Sequence, residues 1–426
     1  MSTYTGFRKF VIGKEKSEKS NFVWNMIGSM IYAMSTILMS YLTIRIVGEK
    51  DGGIFAIALT LAQMFVYIAY FEMRTYQVTD AKDEFSFSQY FTTKILTCAI
   101  MILASIGYIL LNGYDRNKAC VVFLVCVLKM IDGFADVYES QFHRDGYLNV
   151  AGKSLAYRTT VMMIVYFGML ILTHNLVITM MITVLFACVL LFVFDIYIYR
   201  AFGETYIEKN WKIILDILRK CFPLFIGVFL WTYILSASRL AVDKHMSSEY
   251  QAYFQVIFLP VSVINLFAGF VFRPMLMPLT ELYAKKDNKK FWGIIGKMIA
   301  ALILITLICL GGAFVIGIPV LNIVSGLELS TYKGMLLFNI LAGGINAIAF
   351  VFYYVLTICR AQISIIAGYG ISALIAMIIS PIMVKSFGLW GASVAYGITV
   401  LVMAVLFILM VMGQMGRGTS RYEKKK

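Results

Sequence analysis

The sequence predicts an all-α polytopic membrane protein, with about twelve transmembrane helices in two six-helix lobes. Three observations predict it. Of 426 residues, 61% are hydrophobic and 14% charged, and mean hydropathy is +0.83, too apolar for a water-soluble chain of this length. Apolar runs close to the ~20 residues that span a bilayer recur from end to end. The segments between them alternate between rich and poor in Lys and Arg, the pattern that records orientation in a multi-pass chain.

Taken in order, residues 1–20 form a polar, basic tail. The apolar run behind it is long enough to remain as a span, so no cleavable leader is expected. Spans are predicted over 22–46, 53–71, 91–111, 119–138, 157–173 and 176–199, making a first lobe over 21–200. Only His174 and Asn175 divide the fifth span from the sixth. Residues 201–220 are expected to be a cytoplasmic linker helix lying on the membrane surface, with Trp211, Ile214, Leu215 and Leu218 on its apolar face. Spans over 221–241, 252–272, 293–318, 335–357, 363–384 and 391–413 make the second lobe, and 414–426 is a basic tail.

If the N-terminus is cytoplasmic, the inner segments hold 28 Lys and Arg and the outer segments 8, with Lys129 inside a span. Both termini are then inside. Basic loops facing anionic membrane lipids account for the net charge of +14, and nucleic acid need not be a partner. Two lobes that both begin on the same side suggest parallel repeats. At an offset of 199, Phe55 falls on Phe254, Phe71 on Phe270, Arg74 on Arg273 and Arg45 on Lys244.

Seven scattered cysteines without a CxxC pair, and only three histidines, point to no metal site and no cofactor. Walker, GxSxG and HExxH motifs are missing, and the longest outer loop, about 319–334, is short. Both facts argue against an enzyme.

Candidate chemistry gathers at KMIDGFADVYESQFHR, Lys129 to Arg144. Lys129, Asp132, Asp136 and Glu139 are spaced three, four and three, which puts all four on one helical face. Lipid penalises charge, so that face should look inward. A buried ion pair that only fastens helices and a wall of a polar transport cavity fit this stretch equally. Polar stripes run along span 1 (Asn25, Ser29, Tyr32, Thr36), span 2 (Gln63, Tyr67, Tyr70, Arg74), span 7 (Ser236, Arg239) and span 8 (Gln255, Asn265, Arg273). Each alone is what a plain helix contact needs. Together they fit a cleft between lobes. Arg45, Arg74, Arg239 and Arg273 sit near span ends, where snorkelling is the plainer role. As a ring they would make a cavity more cationic than anionic and suit phosphate, which a guanidinium grips with two hydrogen bonds.

With these residues in view, the chain resembles the Wzx-type polysaccharide exporters, oligosaccharide flippases of the MOP superfamily that also contains the MATE exporters. The resemblance rests on the two-lobe architecture and on VGEKDGGIFAIA, FEMRTYQVTDAK and KMIDGFADVYESQFHRDGYLNVAGKS. After span 7 the family often has an Asp-Arg pair; here it reads Ser238-Arg239, which puts a role for an acid there in doubt. The resemblance implies a MATE-like fold in the bacterial cytoplasmic membrane and a substrate of lipid-linked oligosaccharide on undecaprenyl pyrophosphate. It also implies alternating access and other polysaccharide-assembly proteins as partners. Arg45, Arg74, Lys129, Asp132, Arg239 and Arg273 would then meet the substrate's charged groups, and Tyr32, Tyr67 and Tyr70 its sugars. Asp132 and Asp136 are the candidates to carry a coupling proton. A MATE-like exporter of drugs or metabolites, with an acid-rich cavity for cations, is the alternative. A membrane enzyme of polysaccharide assembly is a further one.

Overall fold

A computed structural model describes residues 17–80, 84–272 and 275–423, together with 6, 11 and 12. All regular structure among them is helical. The chain divides into two compact units, Met1–Phe229 and Leu230–Lys426.

The first unit contains α1 (Glu18–Tyr70), α2 (Met73–Thr79), α3 (Phe87–Asn112), α4 (Arg116–Arg144), α5 (Leu148–Thr173) and α6 (Leu176–Leu191). A π turn, Phe192–Ile196, carries α6 on to Tyr199. The helix starts are written in short polar side chains, whose oxygens take the free amides of a first turn. Ser17 accepts from the Ser20 amide, Asp115 from Asn117 and Lys118, and Asn175 from Ile178. His174, left-handed at φ 45°, ends α5 just before Asn175 begins α6.

α1 has 53 residues, which as a straight rod would reach ~80 Å, well over twice the ~30 Å apolar core of a bilayer. It is not straight. At Gly48 the backbone leaves the helix with φ 83° and ψ −178°. A Cβ on Gly52 would fall 2.8 Å from the Ile44 Cα, although eight residues of continuous helix separate positions by ~12 Å. The Thr43 hydroxyl bonds Tyr166 at 2.6 Å, and the ring of Phe55 lies 5.8 Å from that same Tyr166 ring. The chain therefore reverses at Gly48, and α1 is a hairpin of two arms, 18–47 and 49–70. Small residues let these arms close on their neighbours: Gly28 meets the backbone of Gly152 in α5, and Gly133 of α4 lies against Ala69.

The helix α7 (Trp211–His245) belongs to the first unit as far as Phe229 and to the second from Leu230. The segment expected as a separate linker helix is thus the beginning of one uninterrupted helix that continues past Pro223. One face of it is buried against the first unit. Ile214 and Ile217 are each 1% exposed, while Trp211 and Leu215 point outward. Ile217 and Cys221 join the aromatic core around Tyr90, Tyr138 and Tyr199, and that packing selects the face.

The second unit continues with α8 (Ser248–Phe272), α9 (Leu276–Ala284), α10 (Asn288–Gly312), α11 (Ile318–Ser325), α12 (Lys333–Ile358) and α13 (Gln362–Glu423). α13 repeats the device of α1. It breaks at Gly388, φ 58° and ψ −134°, and Gly391 presses on the backbone of Met383, eight residues earlier. Among the described residues, seven helical segments are long and apolar enough to cross a membrane. Two of the seven contain these reversals, so they undercount the crossings. The chain is a multi-pass membrane protein.

Candidate functional site

The site is built in the first unit on the inward face of α4. Lys129, Asp132, Asp136 and Glu139 do share that face, with side chains 7%, 15%, 7% and 7% exposed. Lys129 donates to Asp132 at 3.0 Å and to the Tyr32 hydroxyl at 3.1 Å. Tyr32, on the first arm of α1, in turn donates to Asp132 at 3.2 Å.

The second arm of α1 ends in two left-handed residues, Phe71 and Glu72, at φ 47° and 53°. Non-glycine residues adopt this conformation at a cost. Here Phe71 is held by stacking on Phe225, 4.3 Å between centroids. The turn lays α2 beside α4, where Gln77 donates to Gln141 at 3.0 Å and to the Val137 carbonyl at 3.2 Å. Arg74 is thereby placed over α4, 3.1 Å from Asp136 and 3.3 Å from Glu139. Lys94 of α3, fully buried, reaches Asp136 at 3.0 Å and the Tyr70 carbonyl at 3.2 Å.

Arg158 of α5 closes the network. It lies 3.1 Å from Glu139, 2.9 Å from Asp195 and 3.8 Å from Asp132. Asp195 belongs to the π turn after α6, and is fully buried between Arg158 and the Ser154 hydroxyl at 2.7 Å. A π turn inserts one residue into the helical register, which is how an otherwise apolar run, LLFVFDIY, delivers a carboxylate to the interior. Four cations and four carboxylates are thus linked, so this network brings no formal net charge into the first unit.

Beside the network lies a cavity of about 280 Å³. Tyr32, Tyr70, Glu72, Arg74, Asp132, Asp136, Glu139 and Arg158 line it. Within this unit the wall is not cation-rich: four carboxylates face the cavity against two guanidiniums. Of the four arginines expected to ring a cavity, Arg74 is in this wall. Arg45 is exposed on the first arm of α1 and is not in the wall. Arg239 belongs to the second unit, bonded to Gln255. Arg273 lies outside the described residues. Tyr67 stands behind the wall, its ring 5.8 Å from that of Tyr70.

Lys94, Arg158, Asp195 and Glu72 were not singled out by sequence reasoning. Lys94 and Arg158 were assigned to inner loops by the charge count, yet both are buried, at 0% and 4%. Asp195 carried a usable signal, a lone acid within an apolar span.

No protein-family profile matches the chain, and no curated protein does. Solved structures do match, and they share one fold. The chain has the fold of the MATE transporters of the MOP superfamily. An inward-facing multidrug resistance MATE family transporter of that superfamily is 14% identical with a TM-score of 0.60, covering 96% of this chain and 98% of its own. A MATE protein in its bent conformation is 12% identical with a TM-score of 0.56, covering 98% and 99%. A MOP superfamily transporter from Pyrococcus furiosus, described as having a binding pocket of reversed polarity, is 14% identical with a TM-score of 0.51, covering 97% and 99%.

Proposed function

We propose that the protein is an exporter of the bacterial cytoplasmic membrane that flips a lipid-linked oligosaccharide, carried on undecaprenyl pyrophosphate, for surface-polysaccharide synthesis. Its two lobes work by alternating access, and both termini are cytoplasmic. The observation that carries the reading is the composition of the cavity wall. Tyr32 and Tyr70 offer aromatic rings, and the paired carboxylates and guanidiniums beside them offer planar, bidentate hydrogen-bonding edges. Because Lys94 and Lys129 pair with Asp136 and Asp132 from behind the wall, much of its charge is already met, and it suits a polyhydroxylated guest better than a lone ion. The lipid tail would stay in the bilayer while the sugars pass.

The second reading is an exporter of drugs or metabolites. The excess of carboxylates over guanidiniums on the wall favours it, as does the fold shared with a multidrug resistance transporter. Reconstitution decides between them. Vesicles containing the protein should translocate labelled lipid-linked sugar. Cation efflux without sugar translocation would establish the second reading, and sugar incorporation into polymer would make the protein an enzyme instead.

A further inference from the structure

In the first unit's network, each cation meets a carboxylate. Arg239, in the second unit, does not. It lies six residues before the end of α7. One Nη donates to Gln255 Oε1 at 3.4 Å and the other to the Leu235 carbonyl at 3.3 Å. The guanidinium carbon sits 5.2 Å from the Phe258 ring centroid. Its Nε makes no hydrogen bond, and no carboxylate among the described residues pairs with it. A guanidinium cannot shed its proton in a protein. Within a membrane it therefore needs a counter-charge from somewhere.

The neighbouring side chains hold unused hydrogen-bonding capacity. Tyr396, on the second arm of α13, is 1% exposed. Its ring packs edge-on to Phe258 at 4.9 Å, and it lies close enough to interact electrostatically with Arg239. Its hydroxyl has no partner. Gln251, one turn before Gln255 on α8, is 0% exposed, and neither its amide nitrogen nor its oxygen is bonded. Buried polar groups are almost always satisfied, and those that are not mark a place for water or an ion. The charge on Arg239 decides which.

We propose that Arg239, Gln251, Gln255 and Tyr396 form a buried site for a compact anion in the second unit. The arginine supplies the charge, and the free Nε–H, tyrosine O–H and amide N–H groups supply the donors. As a halide site it stands independently of what the protein exports; as a substrate site it rests on the function proposed above. The anion has two sources, a halide from solvent or the anionic group of a transported molecule, and the test separates them.

The full-length protein in detergent is melted while bromide replaces gluconate at constant ionic strength, and separately as a short-chain isoprenyl pyrophosphate is added. For a halide site, bromide raises the unfolding midpoint saturably by a few degrees. For a site filled by substrate, only the pyrophosphate does so. Arg239→Gln abolishes the response. Tyr396→Phe, a hydroxyl deletion that keeps the ring, shifts the half-saturating concentration upward about tenfold. Gln255→Glu sets a carboxylate at the Arg239 contact; its midpoint in gluconate rises to that of the anion-saturated wild type, and its response disappears. A response to neither probe overturns the proposal. So does an equal response in Arg239→Gln, which would mean an adventitious ion only. Should Arg239→Gln fail to fold, the Gln255→Glu and Tyr396→Phe results decide: an unchanged response in both overturns it.

Discussion

Arg158 and Asp195 pair at 2.9 Å, tying α5 to the π turn after α6 at a point where the carboxylate is wholly buried. Asp195→Asn keeps the shape and the Ser154 contact but removes the charge. It should destabilise the protein by roughly 3 kcal/mol, because breaking a buried pair costs far more than the pair contributes. Arg158→Ala should cost more, since it strands Asp195 and leaves Glu139 with Arg74 alone. Denaturant melts in detergent measure both, and a neutral Asp195→Asn would show that the pair is not energetically coupled to the fold.

Lys129 and Asp132 allow the structural and transport roles of α4 to be separated. Asp132→Asn alone leaves Lys129 with only the Tyr32 hydroxyl, and should lower protein level by destabilisation of a few kcal/mol. The double variant Lys129→Met, Asp132→Leu leaves neither charge alone, and Arg158 keeps Glu139 and Asp195. Normal protein level with abolished export is expected. Normal export per folded molecule would make this face a packing element.

Gly48 should tolerate no side chain cheaply. At φ 83° an L-residue pays about 1–2 kcal/mol, so Gly48→Val should lower the unfolding midpoint. Gly133→Ala should act through packing, because its new methyl would meet the Ala69 Cβ at 2.6 Å and force α4 from the second arm of α1 at about 1–3 kcal/mol. A midpoint unchanged in either variant would remove the corresponding contact from the account.

Orientation is tested by reporter fusions. Fusions at Lys118 and Lys333 should read outside and those at Lys153 and Lys286 inside. One reversed reporter would remove a pair of crossings from the expected twelve. Two buried residues, Lys94 and Arg158, drop out of the inner-loop count that motivated the orientation, but the bias is large enough to survive their loss.

The membrane class and the presence of most helices were legible because hydropathy is a local property of sequence. The boundary at His174 and Asn175 is such a case, as is the inward face of Lys129, Asp132, Asp136 and Glu139. The partners of that face were not legible. Arg74 reaches it only because Phe71 and Glu72 turn left-handed, and Asp195 only because a π turn shifts its register. Neither event leaves a periodic trace in the sequence. Arg45 and Arg239 looked equivalent to Arg74 by position near a span end, and only the packing distinguishes them.

The reversal at Gly48 also limits how the protein can be approached from the side of the membrane on which that reversal lies. In the first unit, the connections that alternate to that side are one glycine, the three residues 113–115 and the pair His174–Asn175. So little chain gives an antibody, a protease or a labelling reagent almost nothing to grasp. An epitope inserted at Gly48 would have to pry two helices apart, whereas one placed at 113–115 would lengthen a turn that already exists.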